Sequence, residues 1–435
     1  MNHDEGLQTT YQQKLLWQIV ENKPELPFMN INVHLQFEGL LDYSSMLNAI
    51  VQLVNEEAAL RTSFHESDGV LRRRIHAQPA IEFDYADKRS ESPERQYDIL
   101  HSYLESIYSN PMPMKSPLAI RGCLLRLGEE DFRLIATLNH MVADGHAAVL
   151  LLLRLAEIYG GDRSMSPQPQ NFESYLEDQN RFLSGSHERR QMEFWRQYLD
   201  GFDPSDSYSL PSAPEKLVLY RSQLPPDTMR KLAGAGEGTL GHAQIVLKAA
   251  YLALLAKAFE LKDIGMFSIL ANRSRDYRTT IGYLANIVIY RTSISDELAL
   301  QDLIALAKST LHQVSRNAKL PYSKIWREIF DEDANRIPRF YFNLIPVPDK
   351  SQNFGLAAAQ PVPGLNDWIY WNGLEHHTLG LTVYTAMPHF AGIEWRYDGR
   401  IFNAKDVQRW SDFYLKIVDD LLDSKNVKLC EIDFA

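Results

Sequence analysis

The order of apolar and polar positions divides the first part of the chain into short strand-like and helix-like stretches. Ile31-Asn-Val33-His-Leu35-Gln-Phe37 alternates strictly and predicts a half-buried strand. Before it, Leu15, Leu16, Ile19 and Val20 fall at helical spacing, and Thr9 or Thr10 can cap a helix running to about Asn22. Asp42 can cap a second helix through about Ala59, with Met46, Ile50, Leu53 and Val54 on its apolar side. Leu60–His65 and Val70–Ile75 flank Ser67-Asp68-Gly69, a hairpin signal. A helix follows Ser92. Leu118–Leu127 and Phe132–Leu138 predict a second hairpin, and an apolar helix runs from about Ala147 to Tyr159.

The later part repeats the mixture. Helical stretches begin at Phe172 and His187, and Leu217–Leu224 reads as a strand. A long helix spans Thr239 to Leu261. Ile264–Leu270, Asn286–Thr292 and Phe340–Ile345 read as strands, with a helix over Leu298–Lys319. Thr378–Ala386 and Phe390–Tyr397 form a hairpin, and Lys405–Leu422 is a final amphipathic helix. Each half is a mixed sheet with helices. The pattern therefore predicts an α+β protein of two lobes, residues 1–170 and 171–435, joined where Pro167 and Pro169 stand.

Composition narrows the function classes. The chain has 435 residues, is 45% apolar, and carries a net charge of −11. An excess of negative charge argues against nucleic acid or an anionic membrane as the main partner. The two cysteines, Cys123 and Cys430, are too few for a disulfide framework or a Cys-rich metal site, and a reduced cytoplasmic compartment is expected. Residues Met1 to Gln13 lack the basic start and apolar run of a secretory signal. The longest apolar run, Ala147–Leu153, is far shorter than the roughly 20 residues of a membrane helix.

The densest chemistry lies at His140-x-x-x-Asp144-Gly145, between a strand-like run and an apolar helix. A strand end is a rigid mount, and a glycine there permits a sharp turn. Histidine moves protons near neutral pH, and an aspartate can fix an imidazole or an arginine. Read alone, the pattern is either such a site or a structural histidine beside a helix-capping aspartate. A metal is disfavoured. His140, Asp144 and His146 are potential ligands, with His376, His377 and His389 elsewhere, but Gly145 breaks the register between the first two histidines. Gly236-Glu-Gly238-Thr-Leu-Gly241 follows a helix-like stretch rather than the strand a dinucleotide fingerprint needs. The clusters Arg72-Arg73-Arg74, Lys88-Arg89 and Arg189-Arg190 read as solvated faces, with a docking patch for an acidic carrier protein as the lesser alternative.

Five ordered segments resemble a known family. Thr10-Tyr-Gln-Gln13-Lys-Leu-Leu16-Trp17 is similar to SxAQxRLW, Leu60-Arg61-Thr62-Ser63-Phe64 to LRTxF, and Asn139-His140-Met-Val-Ala-Asp144-Gly145 to HHxxxDG. Ile281-Gly282-Tyr-Leu-Ala-Asn286-Ile-Val-Ile-Tyr-Arg291 is similar to IGxFVNTxxxR, and Phe342-Asn343 lies where the family carries an Asn facing the reaction centre. The last helix and Leu429–Asp433 resemble the family's usual end. From about residue 7 to 435 the chain resembles the condensation domains of nonribosomal peptide synthetases, in the chloramphenicol-acetyltransferase-like superfamily.

The resemblance implies two acetyltransferase-like lobes in a V-shaped pseudo-dimer, with His140 in a tunnel between them. It implies acyl transfer from the phosphopantetheine thioester of an acyl or peptidyl carrier protein to an amine, less often a hydroxyl. No metal and no bound cofactor are expected. His140 would take the proton of the attacking amine or orient that amine, and Asn343 would donate to the developing oxyanion. Asp144 and Arg291 would form a buried pair that clamps the loop, beside Gly145. Asn139 replaces the motif's first His and would support the loop; Leu15 replaces the arginine of SxAQxRLW.

No adenylation or carrier segment accompanies the domain, so a free-standing monomer is expected, like the amide synthases of siderophore assembly that acylate a soluble polyamine. A small amine is then the expected acceptor, with a carrier-bound aminoacyl group as the alternative. Asp367 or Glu375 would hold a second ammonium group. An ester-forming or coenzyme-A-dependent acyltransferase, or a non-catalytic domain that recruits carriers, are the competing functions.

Overall fold

The computed structural model describes residues 6–21, 30–161, 172–202, 217–234, 240–330, 340–346, 352–361, 379–386 and 390–434. In chain order the first elements are α1 (Tyr11–Glu21), β1 (Asn30–Gly39), α2 (Tyr43–Glu56), β2 (Thr62–Ser67), β3 (Val70–Ile75), β4 (Ala80–Asp87), α3 (Pro93–Ser109), β5 (Leu118–Arg126), β6 (Asp131–Asn139), α4 (Gly145–Gly160) and α5 (Phe172–Leu183). Their starts follow local chemistry. The Asp42 carboxylate accepts from Ser45 N at 2.7 Å ahead of α2, and the Ser92 hydroxyl accepts from Arg95 N ahead of α3, where Pro93 needs no partner for a missing N–H.

Next come α6 (Ser186–Tyr198), β7 (Leu217–Gln223), α7 (Pro226–Gly234), α8 (Leu240–Phe259), β8 (Asp263–Leu270), β9 (Asn286–Ser293), α9 (Leu300–Arg316), α10 (Tyr322–Phe330), β10 (Phe340–Pro346), β11 (Gln352–Phe354), β12 (Ala357–Pro361), β13 (Leu379–Ala386), β14 (Phe390–Asp398) and α11 (Ala404–Leu422). A helix, α7, precedes the glycine-rich stretch at 236–241, as expected, so no strand feeds it.

The chain divides into two compact units. The first comprises Met1–Phe182, Ala271–Ala285 and Lys350–Leu374; the second comprises Leu183–Leu270, Asn286–Asp349 and Glu375–Ala435. The first crossing, at 182–183, lies near the expected division at 170, but the two returns of the chain at 271–285 and 350–374 were not expected.

The first unit holds a six-stranded sheet in the order β11-β12-β1-β6-β5-β4 and the separate β2-β3 hairpin. Lying inside this sheet between β12 and β6, β1 is buried on both faces rather than half-buried. Asn30 Nδ2 donates to the Tyr108 and Asn110 carbonyls while its Oδ1 accepts from Met112 N. Burial, with Arg133 and His101 nearby, pushes the His34 imidazole down to about 3. At the end of β1, Gly39 has φ +116°, and a Cβ there would lie 2.5 Å from the Leu356 carbonyl oxygen, so only glycine lets β12 close on β1. α3 packs Leu104, Ile107 and Tyr108 on Cys123, Leu125 and Ile135 of β5 and β6.

The second unit holds a six-stranded sheet in the order β7-β14-β13-β10-β8-β9. Its core helix α8 is long and apolar enough to cross a membrane by length and composition, but Val246–Ala256 are buried inside the unit. Tyr251 on α8 packs on Phe342 and Trp395, and Trp395 packs on Tyr414 of α11, whose Oη donates to the Leu247 carbonyl.

Candidate active site

β6 ends at Asn139, and the next five residues turn the chain into α4. Asn139 holds that turn from its start: its Nδ2 donates to the Pro113 carbonyl at 3.0 Å and its Oδ1 accepts from Met141 N at 2.9 Å. Gln13 of α1 donates from Nε2 to the Met141 carbonyl at 2.8 Å. The loop is therefore gripped from both sides before any charge is considered.

His140 is buried, and its ring lies edge-on to Tyr283, with centroids 5.1 Å apart. Its Nδ1 is 2.8 Å from the Ala143 carbonyl oxygen. A carbonyl only accepts, so Nδ1 carries the proton and the neutral ring keeps its lone pair on Nε2. Burial lowers the imidazole's pKa from 6.5, outweighing the opposing pull of its hydrogen bonds and of Asp144. The ring is thus held in the form that accepts a proton. If it acts as a base, the acid limb of kcat/KM falls below pH 6.5, because the ring stays neutral until pH drops past that ordinary value. An acid limb at or above 6.5 in a pH–rate profile would contradict this.

Asp144 caps α4, accepting from Ala147 N at 2.9 Å through Oδ1. Its partner is Arg273, not the expected Arg291. Arg273 donates from Nη1 to Oδ2 at 2.7 Å and from Nη2 to Oδ1 at 2.9 Å, and both side chains are almost fully buried. Leu284 N and Ala285 N also donate to Oδ2, at 3.0 and 2.9 Å. Burial pushes the carboxyl up, but the Arg273 guanidinium and these amides outweigh it and hold the pKa below 3.8. Five donors saturate the carboxylate, which leaves it a clamp and gives it no group to offer a substrate.

Arg273 further donates to the carbonyls of Ala271 and Gly282, so the same pair closes the segment 271–285 on itself. Asn272 sets it up. It sits at φ 52°, a left-handed conformation that Asn tolerates, and its Nδ2 donates to the Leu284 carbonyl. Arg291 belongs to the second unit, where β9 lies against β8. There it makes a bidentate pair with Asp263, Nε donating to Oδ1 at 3.1 Å and Nη2 to Oδ2 at 2.7 Å, and donates to the Tyr198 and Asp200 carbonyls. The expected sharp glycine turn is corrected as well. Gly145 is outside the left-handed region, and a Cβ there would meet nothing within 4 Å, so the turn does not require a glycine.

Asn343, also in the second unit, is buried on β10. It stands at the head of a polar row across four strands, Asn343–Thr382–Glu394–Arg221. Glu394 accepts from Arg221 Nε at 3.0 Å and from Arg396 Nε at 2.7 Å. His146 Nε2 donates to the Arg278 carbonyl, and no group of three metal-binding side chains is found among the described residues. His376, His377, His389, Asp367 and Glu375 lie outside the described residues. Arg73 of the basic cluster is buried against Glu173, which leaves only its neighbours to a surface.

Sequence reasoning missed Arg273 and Tyr283. Arg273 stands three residues past a predicted strand end, much as His140 ends another, and that shared position was the available signal.

The sequence profile described as Condensation domain matches residues 4–435. Tyrocidine synthase 3 of Brevibacillus parabrevis is 23% identical over 93% of the chain, and surfactin synthase subunit 1 of Bacillus subtilis (strain 168) is 24% identical over 93%. The chain spans only 6% and 11% of those two proteins. Among solved structures, a mutant starter condensation domain of rhizomide synthetase in complex with C8-CoA superposes with a TM-score of 0.87 at 18% identity, covering 98% of this chain and 97% of that one. The first condensation domain of the CDA synthetase gives a TM-score of 0.80 at 15% identity, covering 99% of each. With the profile matched across almost its whole length, the chain belongs to the condensation domain family, the amide-bond-forming acyltransferases of nonribosomal peptide synthesis.

Proposed function

We propose that this domain transfers an acyl group from the phosphopantetheine thioester of an acyl or peptidyl carrier protein to a small, diffusible amine. The observation that carries this reading is the state of His140: its Nδ1 proton is held by the Ala143 carbonyl and its pKa is depressed by burial, so Nε2 is a base at neutral pH. The amine nitrogen attacks the thioester carbonyl carbon and loses a proton to Nε2. The C–S bond then breaks, and the departing thiolate takes that proton back. Asn343 donates to the carbonyl oxygen while it is negative. Asp144, saturated by Arg273 and three backbone amides, holds the loop and takes no part in proton transfer. The cofactor chemistry arrives with the carrier, and the domain needs none of its own. A fold relative in complex with C8-CoA, itself a pantetheine thioester, supports such a donor.

The acceptor is decided by competition. One acyl-loaded carrier is offered free diamines, free amino acids, alcohols and aminoacyl-carriers together, and products are read by mass. Amide on the free amine is expected. Product found only on the second carrier would make this a chain-extending enzyme acting in trans. Ester alone would make it an esterifying one.

A further inference from the structure

The middle of α8, Val246–Ala256, is buried all round, yet Lys248 stands in it and is 1% exposed. No carboxylate pairs with it among the described residues. Its Nζ donates to Ser268 Oγ at 3.2 Å and lies 3.5 Å above the centroid of the Tyr290 ring and 5.3 Å from that of Phe342. Burial alone pushes its pKa down to about 7. A cation without a counter-ion in such a place destabilises the fold, and an apolar side chain of similar shape would pack better there. Its hydrogen bond leads toward the proposed reaction chemistry.

The parallel pairing of β10 with β8 runs Phe340 with Met266, Tyr341 with Phe267 and Phe342 with Ser268, and stops there. β8 continues through Ile269 and Leu270 paired only to β9. Asn343 is thus the first residue of β10 beyond this support, with β13 still paired on its other side. At that point the Ser268 hydroxyl donates to the Phe342 carbonyl at 2.8 Å. That carbonyl belongs to the peptide group whose N–H is Asn343's own. Ser268 has one proton and uses it there, so its oxygen lone pair is what Lys248 engages. Strand alternation puts Ser268 and Phe342 on the face toward α8 and Asn343 on the opposite face.

We propose that Lys248 is a positioning residue for Asn343. Lys248 fixes the Ser268 hydroxyl, Ser268 fixes the 342–343 peptide plane where the ladder ends, and that plane aims the Asn343 amide. The inference rests on the reading of Asn343 as the donor to the developing oxyanion. Small misalignments of a positioned group carry large kinetic costs.

The test uses Lys248→Met and Ser268→Ala, alone and combined with Asn343→Ala. Lys248→Met is expected to melt higher than the parent protein, so a lost rate is not lost fold. Its kcat is expected to fall roughly tenfold with KM unchanged, and Ser268→Ala to behave alike. Neither should lower kcat further in the Asn343→Ala background. Independently, the side-chain amide resonance of Asn343 in ¹⁵N-Asn-labelled protein, assigned by its loss in Asn343→Ala, should shift in Lys248→Met while that of Asn139 does not. An unmoved Asn343 resonance together with an unchanged kcat overturns the inference. If Asn343→Ala itself leaves kcat intact, the oxyanion role of Asn343 is wrong, and the resonance alone then decides whether Lys248 positions that side chain.

Discussion

His140→Ala is expected to lower the rate of acyl transfer by about 10²–10⁴-fold, the usual worth of a positioned general base. The effect should fall on kcat and kcat/KM together, because the imidazole acts on the amine only as the thioester is attacked. The fold should survive. The loop that carries His140 is held by Asn139, Gln13 and Asp144, and none of those bonds involves the imidazole. The substitution removes the bond from Nδ1 to the Ala143 carbonyl and leaves a small space beside Tyr283. The check is single-turnover transfer from a loaded carrier, with melting measured on the same preparation. A cleanly folded His140→Ala with full activity would take the imidazole out of the mechanism.

Asp144→Asn is expected to be the most destabilising single change in the loop. It leaves the Arg273 guanidinium buried without its counter-charge and turns an acceptor of five hydrogen bonds into one that also donates. Breaking one side of such a pair costs about 3–5 kcal/mol. At about 2–4 °C per kcal/mol for a unit of this size, melting falls by roughly 6–20 °C. Arg273→Met should cost a similar amount, and the double variant should cost far less than the two losses added, since no lone charge remains. Arg291→Met should add to Asp144→Asn in full, because Arg291 pairs with Asp263 instead. The carboxyl's pKa is held below 3.8, so its contribution is complete above that value and is lost as pH falls through the lowered folded value. A normally melting Asp144→Asn without activity would give Asp144 a direct chemical role instead.

The difference between Arg273 and Arg291 shows where sequence reading stopped. Both arginines follow or occupy strands that the pattern located correctly, β8 and β9. Their partners depend on register. The β8–β9 ladder sets Arg291 opposite Gly265, two residues from Asp263, and so gives it a neighbour within its own sheet. Arg273 lies beyond the last β8 residue, in the segment that leaves that sheet for the first unit, and only there does it meet Asp144. No local spacing encodes that crossing.

The same limit explains the missed strands. Ala357-Ala-Ala-Gln360 has no apolar alternation of its own, and it becomes β12 because β1 offers an open edge beside a glycine. Much of the local chemistry, by contrast, was legible, the supposed need for a glycine at 145 excepted. The caps of α2, α3 and α4, the β2–β3 and β5–β6 hairpins, and the mounting of His140 between a strand end and a helix start all follow from residues within a few positions of one another. Periodicity and capping act over one or two turns of chain, so the sequence by itself determined most of the elements, the α+β class and the place of His140, but not β4, α10, β11 or β12. The arginine that clamps Asp144, the strand β12 that pairs with β1, and the buried lysine behind Asn343 depend on free energy gained only when distant segments share one interior. Those the tertiary structure alone decided.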